Sequence, residues 1–325
     1  MERRGIHVTV GGRSALSALE RLLEEVAPSL DLNWVIAEVN GHFRYTSHPE
    51  ASEPDSITAE DARRLAQLAR DKHIELVPMY NCLGHQSWKE KPGALLRSHP
   101  EFNEAPQLDP AAEDFYCMSW CPRHPQVNPL VFDLFDELLD AFQARAFHVG
   151  MDEVFILGRC PRCQGAPNAT LFAQAVNAYH QHLVGRRKAE MQMWGDRLLD
   201  AAAMGYGLWE SSENDTHQAI DQVPTDIVMC DWHYEIMDDF PSVRFFQDRG
   251  FRVWPAGWHK EESIRRFVEV ARRQAGPNML GYLATTWTNL SQLVAGLAGE
   301  PTDPAQERLP GIIAGVRLGA GLARP

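Results

Sequence analysis

Short apolar segments alternate with longer amphipathic segments along the whole chain, and no linker or low-complexity tract interrupts them. Eight of the short segments are typical of β-strands. They are Ile6–Val10, Asn33–Val39, Ile74–Met79, Arg145–Gly150, Glu190–Trp194, Asp226–Trp232, Phe251–Ala256 and Gly281–Trp287. Strands that alternate with helices predict βα units and a parallel sheet. Eight such units are the number that closes a (β/α)₈ barrel.

The segments between these strands carry apolar residues at helical spacing, which predicts that helices surround the barrel. The clearest predicted helices are Ser14–Val26, Ala62–Arg70, Leu130–Phe142 and Glu261–Arg273. Thr58 and Asp61 have the spacing of a capping box ahead of the second of these helices. Their apolar stripes are expected to face the core.

A doubly wound open sheet is the alternative architecture. Such a sheet normally has a glycine-rich phosphate turn after its first strand, and Gly11-Gly12-Arg13 lacks that G-x-G-x-x-G spacing. We therefore predict a single (β/α)₈ barrel domain over residues 1–325. About 50 residues, Tyr80 to Pro129, separate the third strand from its helix, where 2–6 would be usual. A loop of that length is expected to shape a binding site.

Composition narrows the class of protein. With 325 residues and 44% hydrophobic content, the chain can bury a large core and is not disordered. The net charge is −13, and no basic patch with interleaved aromatic residues is present, so nucleic acid is not an expected partner. No apolar run approaches the roughly 20 residues of a membrane span, and no apolar signal core follows Met1. We expect a cytoplasmic protein with no membrane partner.

Catalytic groups of such barrels lie at the C-terminal ends of the strands. Acids, aromatic rings and one amide occupy those positions here: Asn40, Tyr80, His85, Trp88, Asp152, Glu153, Trp194, Asp196, Trp232, Tyr234, Trp258 and Trp287. Aromatic rings offer flat apolar area to the C–H face of a sugar, which predicts a carbohydrate site. Adjacent residues of a strand face opposite sides, so Asp152 and Glu153 can share one pocket only if the chain leaves the strand there. An ion pair or a helix cap is the other interpretation of these two acids.

The segment Phe147–Val154, with the sequence Phe-His-Val-Gly-Met-Asp-Glu-Val, resembles the H-x-G-x-D-E signature of glycoside hydrolase family 20, the β-N-acetylhexosaminidases. Further similarities follow in the expected order at Leu83–His85, Met193–Asp196 and Thr285–Trp287. The chain is most similar to the hexosaminidase D branch. The resemblance implies a retaining hydrolase that releases terminal β-linked N-acetylglucosamine or N-acetylgalactosamine by substrate-assisted catalysis, without a cofactor.

The resemblance also implies roles for individual residues. Glu153 would be the general acid and base, Asp152 would hold the acetamido N–H, and Tyr234 would hold the acetamido carbonyl oxygen. The predicted substrate-binding set comprises Arg13, His85, His148, Trp194, Asp196, Trp232, Trp258 and Trp287.

Two positions depart from the family pattern. Arg13, the expected sugar-binding arginine after the first strand, is offset by one residue, and Asn289 stands where an acid is often found. Both positions would read the hydroxyl groups at the non-reducing end. The preference between gluco and galacto configurations therefore stays open.

Four of the six cysteines occur in two close pairs, in the loops after the third and fourth strands: Cys117, Cys121, Cys160 and Cys163. Four thiolates at short spacing predict a tetrahedral structural zinc. Free thiols or one disulfide are the alternatives. Cys82 and Cys230 are expected to be small buried hydrophobic residues.

Two other functions are consistent with the fold. A sugar-binding barrel without hydrolysis would keep the aromatic residues, but it would not need both Asp152 and Glu153. A metal-dependent hydrolase would be expected to carry His-x-His on the first strand, where His7 stands alone.

Overall fold

The computed structural model describes residues 2–113 and 115–323. Eight parallel strands close into a barrel in chain order, with β8 paired to β1. They are β1 Arg3–Thr9, β2 Trp34–Glu38, β3 Glu75–Cys82, β4 Ala146–Gly150, β5 Glu190–Trp194, β6 Val228–Trp232, β7 Arg252–Gly257 and β8 Gly281–Ala284. The predicted (β/α)₈ barrel is confirmed, and the doubly wound sheet is excluded.

The first and last strands each differ from the predicted bounds by three residues at one end. β1 begins at Arg3 rather than Ile6, because the Arg3 side chain is buried. Its guanidinium lies 3.9 Å from the centre of the Trp34 ring and donates two hydrogen bonds to Glu190, at 2.7 and 2.8 Å. β8 ends at Ala284, so Trp287 lies beyond the strand. Arg3 and Arg4 are charged, so a hydropathy pattern does not predict the start of β1.

Helices surround the barrel. They are α1 Leu16–Arg21, α2 Ala59–Asp71, α3 Val127–Phe142, α4 Asn168–His180, α5 Pro241–Asp248, α6 Glu261–Arg273, α7 Leu290–Leu297 and α8 Leu309–Leu322. A π-helical turn over Leu22–Val26 continues α1, and a 3₁₀ helix over Thr216–Gln222 follows β5. The four predicted helices are all present. Among the described residues, no helix combines the length and apolar character needed to span a membrane.

The predicted capping box starts α2. The Thr58 side chain accepts a hydrogen bond from Asp61 N at 3.1 Å, and the Asp61 carboxyl accepts one from Thr58 N at 3.0 Å. Two amide groups that have no partner within the helix are thereby satisfied, which stabilises such a helix start by about 1 kcal/mol.

The segment between β3 and α3 is folded across the mouth of the barrel. β3 extends to Cys82, three residues beyond its predicted end. The segment contains two short helices, Ala94–Ser98 and Pro100–Phe102, and a hairpin that pairs Ser87–Trp88 with Lys91–Pro92. Trp120 is fully buried near its end. The segment is thus held in place and can contribute side chains to the mouth.

Candidate active site

The C-terminal ends of the barrel strands open into a cavity of about 810 Å³. This volume lies in the range of roughly 300–1,000 Å³ that is typical of small-molecule sites. Seven of the predicted site residues line the cavity: His85, Asp152, Glu153, Trp232, Tyr234, Trp258 and Trp287. Residues from five strand ends therefore converge on one space.

Asp152 and Glu153 both reach this cavity because the chain turns sharply after β4. The strand ends at Gly150, and Met151 and Glu153 have positive φ angles of 77° and 51°. Side chains other than glycine rarely adopt this region, so surrounding contacts must hold it. Glu153 N donates to Asp196 Oδ2 at 3.0 Å. The turn brings two adjacent carboxyl groups to the same side of the backbone.

His85 lies between the two acids. Its Nε2 is 2.9 Å from Glu153 Oε2, and its Nδ1 is 3.4 Å from Asp152 Oδ1. Burial alone would lower the pKa of His85, but the Asp152 charge and hydrogen bonds to both acids raise it well above the usual value. His85 is therefore an imidazolium near neutral pH, and it bridges the carboxyl groups.

The surroundings of Asp152 favour its ionised form. Burial would raise the pKa of this carboxyl, yet the His85 charge and the hydrogen bonds from His85 and Asn81 hold it below the usual value. Asn81 Nδ2 donates to Asp152 Oδ1 at 3.1 Å. A fixed negative charge therefore lies beside the acid that follows it in the chain.

Asp196 supports the acids from beneath the cavity and does not line it. Its Oδ2 accepts hydrogen bonds from Glu153 N and from Arg197 Nε at 2.6 Å, and its Oδ1 accepts one from Trp232 Nε1 at 3.1 Å. Burial raises the pKa of Asp196 to about 6, and the Arg197 charge offsets this only in part. Asp196, a member of the predicted substrate-binding set, thus lies outside the cavity lining, and its carboxyl holds protein groups in place.

Tyr234 presents its hydroxyl beside the acids. Trp287 Nε1 donates to the Tyr234 oxygen at 2.8 Å, and Thr285 Oγ1 lies 3.0 Å away. Thr285 Oγ1 is the donor in this contact, so the Tyr234 oxygen accepts two hydrogen bonds. Burial raises the pKa of Tyr234, so the hydroxyl stays protonated. Its proton is available to an acceptor in the cavity.

A buried charged network behind Tyr234 was not predicted. Glu210 Oε1 accepts a hydrogen bond from Tyr234 N at 2.8 Å, and Glu210 Oε2 lies 2.8 Å from His233 Nδ1. Burial lowers the pKa of His233, but Asp231 and Glu210 reverse this and raise it to about 9. The only sequence signal was the pair Trp209-Glu210, which lies in a loop and not at a strand end.

Aromatic residues line two sides of the cavity. On one side, the Tyr234 ring lies 4.9 Å from Trp232 and 5.4 Å from Trp258. On the other side, Tyr116 lies 5.0 Å from Trp209, and Trp209 is 46% exposed. Tyr116 and Trp209 were not predicted, because both lie in long loops far from a strand end.

Trp194 and His148 lie beneath the cavity rather than in its lining. Both are fully buried, and their rings are 4.5 Å apart. Trp194 also packs at 6.0 Å from Trp287. Burial, and to a smaller extent the neighbouring His7, lowers the pKa of His148 to about 3. Neither side chain lines the cavity, so Trp194 and His148 pack beneath the residues that do.

Arg13 and Asn289 also lie outside the cavity. The chain turns at Gly12, where φ is 106° and a Cβ would lie 2.1 Å from the Asp55 carbonyl oxygen. Arg13 follows this turn and lies 3.7 Å from Asp61 at the start of α2. Asn289 accepts a hydrogen bond from Gln292 N at 3.1 Å and caps α7. Arg13, the expected sugar-binding arginine, is therefore not part of the cavity lining.

Arg308 supplies the cavity with a guanidinium that the sequence did not reveal. It precedes α8, lines the cavity and lies 5.3 Å from the centre of the Trp258 ring. Lys260, also in the lining, is paired with Glu235 at 2.6 Å. No ion pair of Arg308 is found with any residue in the described ranges. Arg308 is thus free to bind a ligand.

The cysteines are arranged differently from the predicted set. Cys121, Cys160 and Cys163 are close together, with Glu104 as the fourth member of the cluster. Cys117 is not part of it and instead lines a smaller neighbouring cavity. Cys82 and Cys230 are buried, as expected. Spacing along the chain had suggested Cys117, but the fold brings Glu104 to that place.

Comparisons with known proteins agree with this geometry. β-Hexosaminidases from Emericella nidulans and Akkermansia muciniphila are 23% and 22% identical over 61% and 66% of this chain. The matches cover only 32% and 43% of those two relatives. The crystal structure of the Flavobacterium johnsoniae chitobiase matches with a TM-score of 0.63 at 16% identity, over 98% of this chain and 52% of that one.

A second solved structure, the β-N-acetylhexosaminidase from Bacteroides fragilis, matches with a TM-score of 0.65 at 15% identity, over 98% of this chain and 65% of that one. Likeness at this level of identity establishes the barrel fold. The model of the glycosyl hydrolase family 20 catalytic domain matches residues 37–294, which include every strand end that carries an acid of the cavity. The chain belongs to glycosyl hydrolase family 20.

Proposed function

We propose that this chain is a retaining β-N-acetylhexosaminidase that removes a terminal N-acetylglucosamine or N-acetylgalactosamine. The observation that carries the proposal is the pair of adjacent carboxyl groups, Asp152 and Glu153, which share one aromatic cavity and one bridging imidazolium. The two relatives named β-hexosaminidase support the choice of substrate class.

In the first step, the substrate's 2-acetamido oxygen attacks the anomeric carbon while the glycosidic C–O bond breaks. Asp152 accepts the acetamido N–H and stabilises the positive charge of the resulting oxazolinium ion. Tyr234 donates its hydroxyl proton to the carbonyl oxygen and orients it. A nucleophile held within the same molecule can remove about 7–11 kcal/mol of the barrier.

Glu153 transfers the protons in both steps. It gives a proton to the leaving oxygen in the first step and takes one from water in the second, when water opens the oxazolinium ring. Two displacements at the anomeric carbon give net retention. His85 contacts Oε2 of Glu153, so Oε1 is left to face the glycosidic oxygen.

The two aromatic sides of the cavity have different roles. The acid must face the leaving group, so the aglycone lies beside Tyr116, Trp209 and the 67% exposed Trp88. The terminal sugar lies toward Trp258, where Arg308 reaches its outer hydroxyl groups. Arg308 thereby takes the role that had been expected of Arg13.

The test compares three aryl substrates, the β-N-acetylglucosaminide, the β-N-acetylgalactosaminide and the β-glucoside. We expect turnover of at least one acetamido sugar and a rate at least about 1,000-fold lower for the glucoside, because the glucoside lacks the internal nucleophile. Brief exposure to a chelator should leave this activity unchanged.

The alternatives give different results. A sugar-binding barrel without hydrolysis would bind N-acetylglucosamine in calorimetry but turn over none of the three substrates. A metal-dependent hydrolase would lose its activity on brief chelation. Equal rates for the glucoside and the acetamido sugars would refute the substrate-assisted mechanism.

A further inference from the structure

Three thiols and one carboxylate form a compact buried cluster away from the cavity lining. One ligand atom from each of Glu104, Cys121, Cys160 and Cys163 lies within 4.8 Å of all the others. Cys121 Sγ is 3.3 Å from Cys160 Sγ and 3.5 Å from Cys163 Sγ. Each of the four residues is at most 2% exposed.

The Glu104 carboxylate is the least expected member of the cluster. Its Oε1 accepts hydrogen bonds from Gly158 N at 2.7 Å and Arg159 N at 3.1 Å. Its Oε2 is buried and has no hydrogen-bond partner among the residues that the structure describes. A buried carboxylate oxygen without a partner is costly unless a cation neutralises it.

The three sulfurs lie on two turns with similar sequences. Cys160-Pro161-Arg162-Cys163 and Cys121-Pro122-Arg123-His124 share their first three residues. Cys163 N donates to Cys160 O at 3.0 Å, and His124 N donates to Cys121 O at 3.1 Å. Both turns are closed by hydrogen bonds of the backbone, so the cysteines that begin them are held in position before any ligand binds.

The sulfur separations fit a shared metal ion better than a disulfide. A disulfide needs an S–S distance of about 2.05 Å and can pair only two of three thiols. Zinc–sulfur bonds of about 2.3 Å at tetrahedral angles place the sulfurs about 3.8 Å apart. Thiolates with one carboxylate suit zinc, whereas oxygen-rich sites suit calcium or magnesium.

We propose that Glu104, Cys121, Cys160 and Cys163 bind one structural zinc ion. Binding replaces three S–H bonds by three S–Zn bonds, the three protons go to solvent, and no electron is transferred. Four protein ligands leave no open position for substrate, so the ion has no part in the chemistry.

The ion would join two loops that shape the cavity. Glu104 and Cys121 belong to the segment between β3 and α3, which supplies His85 and Tyr116. Cys160 and Cys163 follow the turn that carries Asp152 and Glu153. The ion would therefore hold the turn that carries the acids in place against the segment that covers them. This inference does not depend on which sugar is cleaved.

The test measures metal content in the full chain, purified after zinc-supplemented expression without chelators and with any tag removed. We expect about one zinc ion per chain, and a loss of at least roughly tenfold in Cys121→Ser, Cys163→Ser and Glu104→Gln. Cys117→Ser is the matched control and should keep its zinc. Loss of zinc from Cys117→Ser and not from Glu104→Gln would overturn this ligand set.

A second measurement does not depend on how the variants fold. Wild-type chain refolded under reducing conditions with Co²⁺ in place of zinc should show sulfur-to-cobalt charge transfer and the strong visible bands of a tetrahedral ion. A weak octahedral spectrum, no cobalt uptake, or a disulfide among these cysteines by mass spectrometry would refute the site. Catalytic activity enters none of these readouts.

Discussion

The two sides of the barrel mouth differ in which parts of the chain supply the polar side chains that line the cavity. At the ends of β3, β4 and β6, the residues that the sequence singled out, among them His85, Glu153 and Tyr234, meet in the cavity. At the ends of β8 and β1, Asn289 caps a helix and Arg13 pairs with Asp61. Arg308, which precedes α8, lines the cavity instead. Under the proposed function, the groups for bond cleavage lie at strand ends, whereas a group for sugar recognition comes from a loop that passes the mouth.

The largest effect is expected on the side of the acids. Glu153→Gln removes the transferable proton and should lower kcat/KM by about 10²–10⁴ for a poor leaving group such as phenol. A good leaving group such as 4-nitrophenol needs little protonation, so its first step should be slowed much less. Equal losses for both leaving groups in a Hammett-type series would show that Glu153 is not the acid.

Asp196→Asn tests whether the acids depend on support from beneath. Asparagine keeps only one acceptor oxygen, so either Trp232 or both Glu153 N and Arg197 lose their acceptor. We therefore expect kcat to fall by about 10–100-fold while KM changes little. Asp196→Glu should not restore the rate, because the buried site has no room for a longer side chain. A rise in KM with unchanged kcat would indicate sugar binding by Asp196 instead.

The same carboxyl predicts opposite effects of pH on activity and stability. Its pKa is raised to about 6 in the folded chain, so the protonated form is favoured by folding. Its contribution to stability is full below the unfolded pKa of about 3.9 and is lost as the pH rises through about 6. Activity should fall below about pH 6, as the support of Glu153 weakens. Urea unfolding and kcat should be measured across this pH range for the wild type and for Asp196→Asn. Stability and activity of the wild type that rise or fall together would contradict the assignment of these effects to Asp196.

Arg308→Ala tests the recognition side. A charged hydrogen bond to a sugar hydroxyl contributes about 1.5–3 kcal/mol, so KM should rise by roughly 10–100-fold. Arg13→Ala is the matched control, and its KM should be unchanged because its guanidinium lies outside the cavity. Steady-state kinetics of the two variants on one aryl substrate give the two KM values. A larger rise in KM for Arg13→Ala than for Arg308→Ala would contradict the assignment of sugar binding to Arg308.

The smallest effect is expected at Asn289. Asn289→Ala should lower the free energy of unfolding by about 1 kcal/mol, because α7 loses the side chain that caps it. Its kinetic constants should equal those of the wild type. Asn289→Asp retains a capping oxygen and should retain the stability as well. A change in sugar preference in either variant would show that Asn289 takes part in substrate binding.

The barrel could be predicted because strands and helices have different hydrophobic periodicities, and because the alternation of strand and helix recurs eight times. The acids could be predicted because adjacent carboxyl groups at a strand end are visible in the chain itself. Depth within the barrel was not visible in the sequence. Trp194 ends β5 and Asp196 follows two residues later, as expected, yet both are buried and absent from the cavity lining. Contacts between distant loops were equally hidden, so nothing near Cys121 in the sequence pointed to Glu104 and nothing near Trp258 to Arg308.

In the proposed mechanism, the substrate's own acetamido group acts as the nucleophile beside Asp152 and Glu153. The most direct test of this step is the kcat/KM of aryl glucosaminides whose N-acyl group carries zero, one, two or three fluorine atoms. Fluorine withdraws electrons from the acyl oxygen, so kcat/KM should decline steeply with each fluorine added. A rate that stays constant across the series would contradict this mechanism.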